Sequence, residues 1–232
     1  MVPMTTYVLI PGACHGGWYY DPISERLRAE GHRVHAVTLS TGRVNLDDHV
    51  AEVLDLFERH DLRDVVLVGH SYGGMVITTV ADRVPDRVAT LVYVDAFVPR
   101  DGESAYDIVH GDWRKWYVEG AAGDGFSVAP LPIFDERATA HPLATLLQRA
   151  SITGAVDRVT DRRYLFMADF PDSPLATTYE RLRDEPGWHV EAWPAGHNVL
   201  RDAPERLLAA LRSAKSARMN NSVIGRAPSV DG

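Results

Sequence analysis

Cysteine is nearly absent from this sequence. Cys14 is its one thiol, so neither an internal disulfide nor a cysteine-built zinc cage can form. Lysine is almost as scarce, occurring only as Lys115 and Lys215, and 24 basic residues face 32 acidic ones for a formal charge of −8. That balance disfavours nucleic acid or anionic lipid as the main partner, because neutralising phosphates takes concentrated Lys and Arg. No uninterrupted apolar run reaches the length of a membrane span. The opening Met1-Val2-Pro3 is not the basic, then apolar, leader of a secreted chain. These absences predict a cytoplasmic protein with no nucleic-acid and no membrane partner. The residues do not fix an oligomeric state, and a homodimer is compatible with them. No internal repeat interrupts this reading.

What is present fits an α/β chain. At 232 residues and 45% hydrophobic, the sequence is long enough for one domain with a sizeable core. Short β-rich runs alternate with helical patterns, the signature of a mostly parallel sheet with helices on both faces. Strands are predicted over 6–10, 33–38, 65–68, 88–94, 164–168 and 188–193. Val50, Val53, Leu54 and Phe57 fall at helical spacing and build one buried stripe. Further helices are predicted after Pro22, over 73–83, around 177–183, and at the end with Leu207, Leu208 and Leu211. Between about 99 and 161 no strand alternates cleanly, while Trp113, Trp116, Tyr117, Phe126 and Phe134 crowd in. That length reads as a mostly helical cap inserted over the carboxyl edge of the sheet. The division is therefore a domain over 1–212 with a cap, and a disordered tail over 213–232.

The chemistry concentrates in Gly69-His70-Ser71-Tyr72-Gly73-Gly74, directly after a buried strand and directly before a helix. Glycines around the serine permit a tight, strained turn that lifts its hydroxyl above the sheet, so Ser71 is the candidate nucleophile. A hydroxyl needs a base to act at neutral pH. Of ten histidines, His197 in Pro194-Ala195-Gly196-His197-Asn198 follows the last strand and reaches the same edge. His70 packs beside the nucleophile. His32, His35, His49, His60, His110, His141 and His189 follow no base or ligand pattern and are expected on the surface or in the cap. For the acid that orients the imidazole, Asp95, Asp169 and Asp172 all stand near strand ends on the correct edge. Asp95 ranks first because it ends its strand cleanly beside the nucleophile strand. The small-residue loop Pro11-Gly12-Ala13-Cys14-His15-Gly16-Gly17-Trp18 offers the Ala13 N–H to pair with that of Tyr72 as oxyanion donors. Cys14 is a weaker alternative nucleophile, since nothing near it in sequence lowers its pKa. This chemistry calls for no cofactor and no metal.

These residues, in the order Ser, Asp, His, resemble the α/β-hydrolase superfamily over roughly 6–212. The opening 7–18 and the segment 69–74 look like the branch containing plant hydroxynitrile lyases, methyl-salicylate-type esterases and small bacterial esterases. In the lyases a threonine occupies the Gly12 position and a lysine follows the catalytic histidine, where this chain has Asn198. The resemblance therefore implies hydrolysis of a small carboxylic ester or lactone, apolar or aromatic, through an acyl-enzyme. A lyase-like or tailoring reaction using Ser and His for proton transfer, and a non-catalytic small-molecule receptor, are the alternatives. Many members of the branch place the acid after the strand equivalent to 164–168. Here the residue two past that strand is Phe170, a departure that raises Asp95.

Overall fold

The computed structural model describes residues 4–214. The chain runs from strand β1 (Thr6–Ile10) through helix α1 (Asp21–Ala29) to β2 (Arg33–Ala36). Pro22 sits in the first turn of α1, where its missing N–H costs nothing, and Gly31 reverses the chain at φ +86°. β2 stops short of the predicted Thr38. That residue leaves the sheet, and its hydroxyl accepts the Gly17 N–H at 2.8 Å. Helix α2 (Leu46–Arg59) begins with a capping box in which Asn45 Oδ1 accepts the Asp48 N–H and the Asp48 carboxylate accepts the Asn45 N–H. Such caps stabilise a helix by about 1 kcal/mol. Then follow β3 (Val65–Ser71), α3 (Gly73–Arg83) and β4 (Val88–Ala96).

After the cap segment come β7 (Asp161–Met167), α7 (Ala176–Leu182), β8 (Trp188–Trp193), α8 (Val199–Asp202) and α9 (Pro204–Ser213). The sheet has the order β2-β1-β3-β4-β7-β8, with every neighbouring pair parallel. Its strands alternate between two cores. Val8, Ile10, Leu67 and Leu91 face α2 and α3, while Tyr7, Leu9, Val68 and Val92 face α1 and α9. Burying each Leu or Phe of these helices contributes about 2 kcal/mol. Both faces are covered, which is why the central strands read as unbroken apolar runs.

Between β4 and β7 lie α4 (Ala105–Ile108), α5 (Gly111–Gly120), an antiparallel ribbon of β5 (Ser127–Val128) and β6 (His141–Pro142), and α6 (Leu143–Leu147). Its helices are shorter than a mostly helical insertion suggests, because Gly and Pro recur every few residues and break each run. The tail predicted from Ser213 lies, from residue 215 on, outside the described residues. Ser213 itself closes α9, and Ala214 is buried. Among the described residues no helix is long and apolar enough to cross a membrane.

Candidate active site

Ser71 ends β3 and takes φ +51°, a left-handed conformation that costs a non-glycine residue about 1–3 kcal/mol. The turn tolerates it because α3 starts two residues later with its backbone pressed on neighbouring loops. A Cβ on Gly74 would lie 2.0 Å from the Phe97 carbonyl oxygen, so only glycine fits. Opposite the serine, a Cβ on Gly12 would lie 2.9 Å from the Ser71 Cβ and 3.0 Å from His70 Nδ1. The backbone of the loop after β1 thus approaches Ser71 as closely as a side chain on Gly12 would forbid.

Asp95 is placed by an irregularity in pairing. His70 registers with Val94 and Ser71 with Ala96, so Asp95 is the extra residue of a bulge, at φ +42°. A bulge re-aims a side chain. Here it brings Asp95 Oδ2 to 2.6 Å from His197 Nδ1, while Oδ1 accepts the Met167 N–H at 3.1 Å. Asp95 is fully buried and both its carboxylate oxygens are used. Asp169 and Asp172 are exposed in the turn after β7 and make no contact of this kind. The position between them is filled by Phe170, which stacks on the His197 ring at 4.8 Å between centroids and 23° between planes.

The loop carrying His197 is held at several points. The His197 carbonyl accepts from His70 Nε2 at 3.0 Å, and the Gly196 N–H donates to Asp202. With its proton on Nε2, His70 keeps a lone pair on Nδ1, which is buried without a hydrogen-bond partner. Burial, reinforced by the neighbouring His197, holds the His70 pKa well below the ordinary histidine range, so it stays neutral. In the loop after β1 the His15 Nδ1–H donates to the Ala13 carbonyl at 2.7 Å. Tyr72, immediately before α3, carries one of the N–H groups that a helix start leaves without an intrahelical acceptor. Among the described residues no loop carbonyl takes up the N–H of Ala13 or Tyr72.

Ser71, His197, Ala13 and Tyr72 all line one cavity. Most of its remaining wall is aromatic: Trp113, Trp116, Tyr117 and Phe134 from the cap, with Phe97, Phe170 and His15, beside Pro174 and Leu175. No lysine or arginine lines it. Cys14 points away, and burial pushes its thiol up to about 12, the opposite of an activated nucleophile. One expectation is corrected. His49 is not a surface or cap residue but a fully buried one on α2, at 2.9 Å from the Tyr72 hydroxyl. Its place within the stripe of α2 is marked in sequence only by its apolar neighbour Val50 and Val53 one turn on, a signal that hydrophobic counting passes over. His141 belongs to the cap segment, as expected, but it too is buried.

A parallel sheet with a strained serine between strand and helix, sharing a cavity with a histidine that is paired to a buried aspartate, defines an α/β hydrolase. The chain belongs to the alpha/beta hydrolase family, whose profile matches residues 7–217. It is similar to the carbendazim hydrolyzing esterase of Nocardioides sp. (strain SG-4G), 35% identical over 235 residues, covering 88% of this chain and 97% of the relative. Methylesterase 2 of Arabidopsis thaliana is 32% identical over 104 residues, a match spanning 40% of each chain. Among solved structures, an extracellular alpha/beta-hydrolase from a Paenibacillus species superimposes with a TM-score of 0.77 at 22% identity. That match covers 92% of this chain and 99% of the other, and it shows the shared fold.

Proposed function

We propose that this chain hydrolyses small carboxylic esters or lactones through an acyl-enzyme on Ser71, with His197 as base, Asp95 as its orienting acid, and the N–H groups of Ala13 and Tyr72 as oxyanion donors. The observation that carries the assignment is the 2.6 Å contact of His197 Nδ1 with a buried Asp95, made by a histidine that shares its cavity with Ser71. Asp95 holds the Nδ1 proton, which leaves Nε2 free to take the Ser71 proton as Oγ attacks the carbonyl carbon. The carbonyl π electrons move to oxygen, and the two N–H groups stabilise the resulting oxyanion. Collapse breaks the ester C–O bond, and the protonated His197 gives its proton to the departing alkoxide. Water, deprotonated by His197, then attacks the acyl-enzyme and restores Ser71.

The relatives named for esterase activity support hydrolysis as the reaction. The aromatic, uncharged wall of the cavity favours a substrate with a flat apolar group over a charged one. It also offers no ammonium or guanidinium to a leaving cyanide, and Asn198 is occupied in capping α8. A cytoplasmic setting belongs to the same proposal, supported by a sequence that has a single cysteine and so relies on no internal disulfide. The test is a panel of aryl and alkyl esters together with a fluorophosphonate probe. Alcohol release, a covalent mass increase mapped to Ser71, and a loss of kcat of about 10⁴-fold or more in Ser71→Ala are expected. Turnover without a trapped adduct, retained in Ser71→Ala, overturns the assignment.

A further inference from the structure

Two buried histidines that take no part in these steps adjoin the proposed oxyanion donors, one bonded to the N–H that follows Ala13 and the other to the Tyr72 side chain. Their tautomers follow from their partners. His49 Nε2 lies 2.9 Å from the Ser40 carbonyl, which can only accept, so Nε2 carries the proton and Nδ1 receives the Tyr72 hydroxyl at 2.9 Å. His141 Nδ1 lies 3.4 Å from the Cys14 N–H, which can only donate, so the proton of His141 is also on Nε2. It is given to Thr145 Oγ1 at 2.8 Å, whose own proton goes to the Pro142 carbonyl at 2.8 Å. Every donor around these two rings therefore has its acceptor.

The residue so held is unusual. Cys14 is a non-glycine at φ +67°, and all three of its polar groups face the cap segment: its N–H meets His141, its carbonyl accepts the Thr139 N–H at 3.0 Å, and its thiol points at the Val128 carbonyl at 3.9 Å. The peptide joining Ala13 to Cys14 is thus gripped on both edges, by His15 at its oxygen and by His141 at its nitrogen. No strand or helix of the sheet domain supplies either hold.

We infer that His141 is a positioning residue of the oxyanion hole, fixing the Ala13–Cys14 peptide from the cap, with His49 steadying the second donor residue through the Tyr72 hydroxyl. The inference rests on the reading of Ala13 and Tyr72 as the donors. It makes the cap part of the catalytic geometry as well as a wall for the substrate. Burial lowers the His141 pKa to about 3, so the neutral form that this geometry needs persists wherever the enzyme is folded and active.

The test compares His141→Asn, His141→Gln and His141→Ala with Ser71→Ala, using para-nitrophenyl acetate and counting active sites by fluorophosphonate labelling. Asparagine puts an acceptor oxygen where Nδ1 stands, whereas glutamine puts one nearer Nε2. For the Ala and Gln variants kcat per labelled site falls about tenfold to a hundredfold, as for a reacting geometry displaced by about 1 Å, while KM stays near wild type. The Asn variant recovers most of the loss. Equal Asn and Gln variants, or a His141→Ala chain with wild-type kcat per labelled site and only a lowered Tm, overturn the inference. If His141→Ala does not fold, the Asn and Gln pair decides. Unaffected His141 variants beside an inactive Ser71→Ala sink the positioning role alone; an active Ser71→Ala sinks the underlying assignment with it.

Discussion

Ser71 and Asp95 occupy left-handed backbone conformations next to each other, at the carboxyl ends of β3 and β4. Two strained residues on adjacent strands are expensive to maintain, and their side chains are the two that the proposed reaction needs aimed out of the sheet. Asp95→Asn is expected to lower kcat by about 10⁴-fold, because an amide no longer holds the proton on His197 Nδ1. Asp169→Asn and Asp172→Asn should stay within about twofold of wild type, as surface changes do, and kcat measured on all three separates them. Cys14 makes a second prediction. Its thiol is buried and raised to about 12, so iodoacetamide should leave the native protein unlabelled at pH 8 and modify it rapidly once guanidinium unfolds it; native-state labelling counts against that burial.

At the scale of elements, the elbow depends on α3 lying hard against the loop after β4. Gly74→Ala would place a methyl 2.0 Å from the Phe97 carbonyl oxygen, and since that atom is backbone, the helix or the loop must move. The expected result is a loss of soluble yield or a clearly lowered Tm, against which a wild-type melting curve would count. The regular elements were legible because each has its own local signal. The stripe of α2, the run 73–83 and the strand Trp188–Trp193 all fall where periodicity and breakers put them. The bulge at Asp95 was not legible, since a bulge is a relation between two strands and leaves no mark in either sequence alone. The same is true of His49 and His141, whose partners lie 23 and 127 residues away in the chain. Only folding brings their neutral rings to one loop. The cap defeated periodicity for a different reason: its ribbon is two residues long per strand, too short for an alternation to show.

The whole molecule stores several neutral histidines in its interior, and this sets how it responds to acid. Burial lowers the pKa of His49, His70 and His141 below that of an exposed imidazole. Below about pH 6.5 the unfolded chain therefore binds more protons than the folded one, so stability is complete above that pH and drains away as pH falls toward the folded-state values. For His141 the loss by pH 5 is about 2 kcal/mol. Urea midpoints should fall from pH 7 to pH 5, and His141→Asn should flatten that fall; an equal slope in the variant would remove His141 from the account.

Because the proposed acid is rooted in β4, the turn that follows β7 has no proton to manage. It has instead lent the imidazole a hydrocarbon face through Phe170, and so the positions beyond Phe170 that greet incoming molecules can be redrawn without touching the Asp95–His197 pair. Ligand preference is thereby largely separated from the acid–base pair, and a mutagenesis library over residues 171–175, with Phe170 kept, should change which esters are cleaved while leaving the hydrogen bond between Asp95 and His197 in place.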